Sequence, residues 1–528
     1  MPTDHSAENR RGPAYRVSAT RLPERGDKSV IDGEARPLTG ASAMTEAYEE
    51  NAWKNVRFRP ARVARPETVD DVKAIVSEAR ATGQKVKAVG GRHSMNHAFR
   101  TEGILVDLSK MRRTLFLDKE NGVVEVEAGC TLGDAVVALA EHKLHFPSLG
   151  SWYTQSIAGA IATSTHGSSL AYGSLSDTVL EVEAILADGS VQRFSNGDEA
   201  KAMRCHLGRL GILTKVKLQL RSAFSLSCRI QSKSAPEAFQ QILDTTRSND
   251  YVSMLWIPDS DRTCTRVLTS GDDGPPNQAA MDLEQRYLDR STLSFRIEDV
   301  LFFGLGHLYL AFPKLLSPYY SRRVEEAFCD DDGVIDTSYR VFLYDQYREP
   351  TENHRLRMIM NVEYAFDVAQ LKLLLNELRT RLADLREQRH YLNYPRVHVR
   401  FAKKSDATLV GLNTDRDTAY VGIYVVGSVR HKSQIPIAEA IEEIFLRFGG
   451  RPHWGKYRYL THSYEAYSGL ERFEIVRRAL DPEDMFSEEA DMFQGLDRFE
   501  RAPLGAMLRS ACDPDEYQEI KCLKRFVS

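Results

Sequence analysis

The sequence contains few cysteines and no pairing motif among them. Seven Cys residues occur in 528, they are widely spaced, and none forms a C-x-x-C pair. An odd number of scattered cysteines argues against a disulfide framework and against a zinc site. We therefore expect reduced thiols in a cytoplasmic compartment, and no metal site is predicted.

The chain also lacks an excess of charge of either sign. Its 70 basic and 74 acidic residues give a formal net charge of -4, so nothing favours nucleic acid as a partner. Hydrophobic residues make up 42% and charged residues 27%, which are ordinary values for a soluble globular protein. The length allows two or three domains with sizeable cores.

Long hydrophobic runs are missing as well. Arginines and acidic residues interrupt residues 1–40, so this segment has no apolar core of a secretory signal, and its acids disfavour a transit peptide. The apolar stretch at residues 301–316 contains Pro313 and Lys314 and is shorter than the roughly 20 residues that a membrane-spanning helix needs. A core or interface helix is favoured, and peripheral membrane contact is the less favoured alternative.

What the sequence does contain is a short apolar strand running directly into paired glycines, VKAVGGRHSMN. Gly90 and Gly91 let the backbone turn sharply and approach a ligand, which a Cβ would hinder. Successive N–H groups in such a turn form a concavity that suits phosphate. Arg92 adds positive charge, Ser94 adds a hydroxyl, and His93 offers a nitrogen nucleophile. A plain strand and turn is the structural alternative for this pattern.

A second segment, residues 150–177, is unusually dense in Gly, Ala, Ser and Thr. Small residues at this density bring backbone amides and hydroxyls close to a large flat or polyanionic ligand, whereas a solvated linker would seldom carry Trp152 among them. We interpret the segment as the second wall of one cofactor site. Its candidate contacts are Gly150, Ser151, Ser156, Gly159, Ala162, Thr163, His166 and Gly167.

Helix and strand signals alternate around these glycines. Thr68 is positioned to cap a helix that ends at Gly83, and Asp188-Gly189 predicts a hairpin between two strand-like segments. A further alternating strand begins at Gly211 and Ile212, which either contact the cofactor or form a bulge and a core position. From about residue 221 the pattern changes to mixed strands and longer helices at 368–382 and 435–448.

The strand VHVRF carries a polar face. His398 and Arg400 lie two residues apart and therefore project to the same side, and the apolar residues between and beside them point to the other. An edge strand with surface His and Arg residues is the alternative interpretation. Farther along, the string RPHWGK ends at Lys456; in it, His453 and Trp454 either shape a pocket or pack in the core.

Together, GGRHS, the small-residue segment and RPHWGK resemble the flavoproteins of the vanillyl-alcohol oxidase superfamily, in the branch of sugar-lactone and polyol oxidases (L-gulono-1,4-lactone, D-arabinono-1,4-lactone and alditol oxidases). The resemblance implies an α+β fold: a two-part, PCMH-type FAD-binding domain with an α+β substrate cap domain inserted before the C-terminal return. The expected divisions are a flexible extension at 1–45, the FAD-binding domain at 46–222, the cap at 223–455, the return at 456–498 and an unassigned tail at 499–528.

The resemblance also implies residue roles. In the family, the motif histidine carries FAD covalently through the 8α-methyl carbon, which points to His93, with His97 as an alternative; some non-covalent relatives replace this histidine. The family lysine of RPHWGK, here Lys456, lies near the flavin and the reacting carbinol. Lys456 and Arg400 are expected to stabilise negative charge on the alkoxide and the reduced flavin.

One position departs from the family. Relatives carry glutamate where this chain has His398. A histidine can act as a base, since its ordinary pKa is about 6.5, but it cannot grip two hydroxyls as a carboxylate does. Glu363 either supplies the missing carboxylate or forms a structural ion pair with an arginine.

The activity implied is oxidation of a CH–OH group in a sugar lactone, polyol or related hydroxylated small molecule, with O2 as acceptor and H2O2 as product. FAD carries the electronic step. Two alternatives stay open: a dehydrogenase of the same fold that uses a quinone, cytochrome or other acceptor, and a flavin-retaining binding or tailoring protein for a larger metabolite.

Overall fold

The structure is a computed structural model, and it describes residues 48–271, 276–289, 301, 304–329, 333–342, 359–427, 431–460 and 466–487. The predicted extension at 1–45 and the tail at 499–528 lie outside the described residues.

A three-stranded parallel sheet leads into the paired glycines. Its strands, in the order β3-β5-β4, are β3 (Arg62–Ala64), β5 (Ile104–Asp107) and β4 (Val86–Val89). Helix α1 (Val69–Thr82) joins β3 to β4. The Thr68 hydroxyl accepts from the Asp71 N–H, while the Asp71 carboxylate accepts from the Thr68 N–H, and Gly83 ends the helix with φ 65°. Both predicted ends of this helix are confirmed. A short pair, β1 (Glu49–Glu50) and β2 (Arg57–Phe58), precedes it.

A five-stranded antiparallel sheet follows, in the order β10-β9-β11-β7-β6. Its strands are β6 (Thr114–Asp118), β7 (Val123–Glu127), β9 (Val179–Ile185), β10 (Val191–Phe194) and β11 (Ile212–Gln219). The hairpin at Asp188-Gly189 is confirmed, since Ile185 pairs with Val191 across it. The intervening elements are α2 (Leu132–Ala140), β8 (Leu144–His145), α3 (Ile157–Ala162), α4 (Gly197–Met203) and β12 (Arg221–Ser222).

The second half of the chain builds an eight-stranded sheet, ordered β16-β13-β15-β14-β18-β19-β17-β20. Its strands are β13 (Ser225–Ser234), β14 (Tyr251–Ile257), β15 (Arg262–Gly271), β16 (Ile335–Thr337), β17 (Ile359–Asp367), β18 (Val397–Ala402), β19 (Thr418–Val426) and β20 (Arg451–Pro452). Three helices pack on one face: α5 (Ala235–Arg247), α9 (Leu371–Glu387) and α10 (His431–Arg447). The remaining helices α6 (Gln278–Asp289), α7 (Pro313–Phe328) and α8 (Ser338–Val341) lie between β15 and β17 in the chain.

The alternation predicted for β18 is confirmed. Val397, Val399 and Phe401 are fully buried in the core with the covering helices, so His398 and Arg400 face the other side. The long helix signals at 368–382 and 435–448 correspond to α9 and α10. The sheet thus has one apolar face for helices and one polar face that is available for a site.

After the sheet, the chain packs back on its first half. Helix α11 (Leu470–Leu480) lies against α4, Arg209 pairs with Glu474, and the Val86 N–H donates to the carbonyl of Met485 over 2.9 Å. These contacts support the proposed return of residues 456–498 to the domain that carries the glycines.

The expectation of reduced thiols needs a correction. Cys264 on β15 and Cys329 at the end of α7 form a disulfide, with Cα atoms 5.1 Å apart, inside the usual range for such a bond. The two are separated by 65 residues, so sequence spacing gave no sign of the pairing. Cys130, Cys205 and Cys228 are buried free thiols.

The apolar stretch at 301–316 lies only partly within the described residues. Leu301, Leu308 and Leu315 are exposed, whereas Tyr309 is buried. Among the described residues, no helix is both long and apolar enough to cross a membrane.

Candidate active site

A large cavity lies between the polar face of the eight-stranded sheet and the elements that carry the glycines. It is lined by residues from both halves of the chain, among them Gly90, His93, Gly159, Arg400 and Lys456. Clefts between such elements are common ligand sites.

The glycine turn after β4 forms one wall, and it has no room for larger residues. A Cβ at Gly90 would collide with the side chain of Ser156, and one at Gly91 would collide with the carbonyl of Thr154. Arg92 adopts a left-handed backbone with φ 56°. This close approach of two backbone segments is the cradle that the sequence predicted, and it fits a phosphate-linked cofactor.

The small-residue segment forms the second wall. Ser156 caps α3 by accepting from the Gly159 N–H over 3.3 Å, and Gly159, Ala162 and Thr163 all line the cavity. Their small side chains leave the surface flat. A planar ring system fits against such a surface.

His93 lies between these walls. Its Nε2 is 2.7 Å from the Thr154 hydroxyl, its ring stacks near Trp152 with centroids 6.2 Å apart, and its carbonyl accepts from the Trp53 indole N–H over 2.7 Å. Burial, with a smaller effect of the Lys456 charge, lowers the pKa of His93 to about 4. The imidazole is therefore neutral at physiological pH and its position is fixed.

The polar face of the sheet forms the third wall, and on it the predicted catalytic residues come together. Arg400 donates to one oxygen of Glu363 over 2.7 Å, and the other oxygen lies 3.2 Å from the Nε2 of His166. Burial disfavours the Glu363 anion, yet the charges of Arg400 and Lys456 outweigh it and hold its pKa well below the usual value. Glu363 is thus an ion-pair partner of Arg400.

Strand register makes this grouping possible. Gly422 on β19 lies opposite both His398 and Glu363. A Cβ at Gly422 would come within 2.8 Å of the Asn361 side-chain oxygen. Because Gly422 has no side chain, Arg400 on β18 reaches across β19 to Glu363 on β17.

His398 and Lys456 differ in their protonation state near physiological pH. Burial lowers the pKa of His398 well below its usual value, and Arg400 adds to the shift; its Nδ1 is 3.4 Å from the Tyr424 hydroxyl. Burial also lowers the pKa of Lys456, to about 8, against the opposing effect of Glu363. His398 is therefore neutral at physiological pH, while Lys456 changes charge close to it.

His166, Glu363 and His453 form a buried group whose ligand-type atoms lie within 4.8 Å of one another. Such a group has the donor types of a metal site. However, Arg400 already occupies one carboxylate oxygen, and the Lys456 charge acts on the same carboxylate. Both would repel a metal cation, so we assign none here.

Nearly all predicted site residues surround the one cavity. Those that line it are Gly90, Gly91, Arg92, His93, Ser94, Gly150, Ser151, Ser156, Gly159, Ala162, Thr163, His166, Gly211, His398, Arg400 and Lys456. Gly167 lines a smaller adjoining pocket together with His398 and Arg400. Ile212 is fully buried in the apolar core, so its alternative interpretation as a core residue holds.

Several cavity residues were not anticipated from the sequence. They are Trp53, Ser253, Cys264, Arg266, Asn361, Arg396 and Tyr424. Arg396 was open to prediction, since it lies two residues before His398 in the same extended segment. The others required the pairing of distant strands to be known.

Comparisons with known proteins agree with this architecture. The family profile described as an FAD binding domain matches residues 60–195, and the one described as D-arabinono-1,4-lactone oxidase matches residues 216–494. The second match covers more than half of the chain. FAD is thus the cofactor, and the cradle at Gly90 and Gly91 fits it.

Two similar proteins align with most of this chain and with nearly all of their own length. The L-gulono-1,4-lactone dehydrogenase of Mycobacterium tuberculosis is 29% identical over 431 residues, covering 81% of this chain and 94% of the relative. The L-gulonolactone oxidase of Mus musculus is 28% identical over 456 residues, with 83% and 96% covered.

A solved structure shares the fold. Cholesterol oxidase from B. sterolicum superposes with a TM-score of 0.66 at 16% identity, over 84% of this chain and 95% of its own. The predicted α+β fold class is confirmed. With its two matched regions enclosing a single cavity, the chain belongs to the D-arabinono-1,4-lactone oxidase family of FAD-linked oxidoreductases that act on CH–OH groups.

Proposed function

We propose that the protein oxidises the CH–OH group of a sugar lactone, with FAD bound between the two glycine walls and O2 as the electron acceptor. The observation that supports this best is the meeting of Lys456 and the Arg400–Glu363 pair with His93 in one cavity. Oxidation of a carbinol by flavin requires a positioned cofactor, a group that accepts the hydroxyl proton and cations that stabilise developing negative charge.

The cofactor is held by the two walls. Gly90, Gly91 and the backbone around Ser156 would hold the pyrophosphate, and the flat surface at Gly159 and Ala162 would take the ring system. FAD bound at this position would accept a hydride from the carbinol carbon.

We propose a covalent bond from His93 to the 8α-methyl carbon of the flavin. His93 lines the cavity, and burial lowers its pKa to about 4, so the imidazole is neutral and one ring nitrogen keeps the lone pair that a nucleophile needs. His97 lies in a short 3-10 helix and is absent from the described lining, which disfavours it as the attachment point.

Lys456 is the proposed proton acceptor. A general base is most effective when its pKa lies near the working pH, and a pKa of about 8 meets this condition. The pKa of His398 lies well below its usual value, which makes it a weaker base. We assign His398 to hydrogen bonding with substrate, and Arg400 to stabilising the alkoxide.

Anaerobic reduction of the purified yellow protein by L-gulono-1,4-lactone and D-arabinono-1,4-lactone tests the proposal. We expect the flavin absorbance to bleach, and readmitted air to restore it with about one H2O2 formed per flavin. Failure of both lactones to bleach the flavin would contradict lactone oxidation. Slow recovery in air with fast recovery on adding a quinone or dye would instead identify a dehydrogenase.

We propose a cytoplasmic location, with peripheral membrane contact as the less favoured alternative. The Cys264–Cys329 disulfide counts against this location, since such bonds are rare there. Cell fractionation with a tagged full-length chain would decide it.

A further inference from the structure

We propose that the natural substrate carries a carboxylate besides its lactone ring, so that it is the lactone of a sugar diacid or uronic acid. The inference rests on the proposed function and defines its substrate class. It follows from three arginines, Arg266, Arg396 and Arg400, that line the cavity together with Lys456.

The arginine and lysine side chains of this lining have no acidic counterparts among the described lining residues. Among the described residues that line the cavity, none is Asp or Glu. The nearest carboxylate, Glu363, lies behind the lining, is 1% exposed and is hydrogen-bonded to Arg400. A neutral sugar lactone requires no such concentration of positive charge, whereas a carboxylate is recognised by guanidinium groups through paired charged hydrogen bonds.

The two ends of the polar face suit different parts of one molecule. Arg396 immediately precedes β18, on which Arg400 lies four residues farther along, and both line the cavity. Arg400 lies with Lys456 and the Glu363 carboxylate at the proposed reacting end. Arg396 is therefore placed to bind the far end of a six-carbon substrate.

Arg396 is held in a fixed orientation. Its guanidinium lies over the rings of Tyr394 and Tyr424, 4.1 and 4.2 Å from their centroids, and 5.1 Å from that of Phe328. The residue is only 5% exposed. A stacked guanidinium presents its N–H groups at its edge, in the plane that matches a carboxylate.

Arg266 approaches from the neighbouring strands. It pairs with Ser253 on β14, and Ser253 comes next to Arg400 one step beyond the paired Met254 and Val399. The Arg266 guanidinium donates to the Val341 carbonyl over 2.6 Å and to the Cys228 sulfur over 3.4 Å, which holds its charge at the cavity wall. The Arg400 Nε is buried and makes no hydrogen bond within the described part of the chain, so acceptors of the protein do not use all the donors of this guanidinium.

Position 398 agrees with the same inference. His398 lines the cavity and lies between Arg396 and Arg400 in the chain. Burial holds its pKa well below the usual value, so the residue is neutral and carries no negative charge that would repel a carboxylate.

The test compares two substrates that differ in one group. L-Gulono-1,4-lactone ends in CH2OH, and L-gularo-1,4-lactone carries a carboxylate at the same carbon. With the full-chain holoenzyme we expect a KM about tenfold lower for the carboxylated lactone, a preference that weakens with added salt. Calorimetric titration of the holoenzyme after its flavin has been reduced with dithionite, so that the lactone can bind but not be oxidised, should give the same ratio of dissociation constants. A 6-phosphorylated lactone is the third ligand; its preference over the carboxylate would overturn the assignment of a carboxylate.

Substitutions of Arg396 test whether this residue causes the preference for the carboxylated lactone. Arg396→Met should raise the KM for the carboxylated lactone about tenfold and leave the KM for the neutral lactone within about twofold. Arg396→Lys should lie between, since it keeps the charge without the planar fork. Exposed Arg322→Met is the control and should change neither value. If Arg396→Met does not fold, Arg396→Gln, which keeps a polar side chain without the charge, provides the same comparison.

The outcomes separate this inference from the function on which it rests. Equal KM values, or a lower KM for the neutral lactone, would overturn the anionic substrate while leaving lactone oxidation intact. No flavin reduction by any of the three lactones would overturn the proposed function itself.

Discussion

Arg400 donates a hydrogen bond of 2.7 Å to Glu363 although the two residues lie on strands that are not neighbours. β19 runs between them and contributes Gly422 at the crossing point. The pair fixes the guanidinium on the cavity side of the sheet. It also places a buried negative charge within reach of Lys456, where it opposes the effect of burial on the lysine pKa.

Glu363→Gln should slow the reductive step and shift its pH dependence. The amide keeps the shape but removes the charge that raises the pKa of Lys456, so neutral lysine should form at lower pH. We expect kcat to fall about 10²-fold, as on loss of one oriented electrostatic contact. Stopped-flow flavin reduction across pH 6–10 measures both effects. A fall in kcat with an unmoved pH profile would contradict the coupling to Lys456.

Lys456→Met should retain flavin yet reduce it about 10²–10⁴-fold more slowly, because the proposed base is lost. In the unaltered protein, flavin reduction should increase with pH through a midpoint of about 8, as Lys456 loses its proton. The variant should lose this dependence. Lys403→Met is the control, since Lys403 is exposed and is not among the residues that line the cavity.

His93→Ala should abolish covalent attachment. After acid precipitation, the flavin colour should pellet with the unaltered protein and remain in the supernatant for the variant. His97→Ala is the matched control and should keep its colour in the pellet. Colour in the pellet of His93→Ala would exclude His93 as the anchor.

Gly90→Ala should lose most of its flavin, since the added methyl group collides with the Ser156 side chain at the cofactor wall. Flavin content per chain, measured by absorbance after unfolding, checks this. Gly271→Ala adds the same methyl group where no atom lies within 4 Å, and it should bind flavin normally. Full flavin content in Gly90→Ala would show that the wall can move.

Local features of the fold were predictable from the sequence. Both ends of the helix between Thr68 and Gly83 can be predicted from nearby residues, because capping hydrogen bonds span only three or four positions. The polar face of β18 followed from alternation alone. The glycines at 90 and 91 and the small residues around Ser156 identified two walls, though not that they touch.

Features that depend on strand pairing were not predictable in this way. Arg266 and Asn361 reach the cavity only because β15 and β17 lie on opposite sides of β18, and the Cys264–Cys329 disulfide joins parts of the chain 65 residues apart. Ile212 looked equally suited to the cofactor and to the core, and packing placed it in the core.

By itself, the sequence determined the turns, caps and strand faces, together with the motifs that mark an FAD site, since each of these depends on residues within a few positions. The tertiary structure decided which charges meet. Glu363 is an ion-pair partner of Arg400 because the sheet register brings them across Gly422 in a buried region, and burial there is what lowers the pKa of Lys456 towards neutrality.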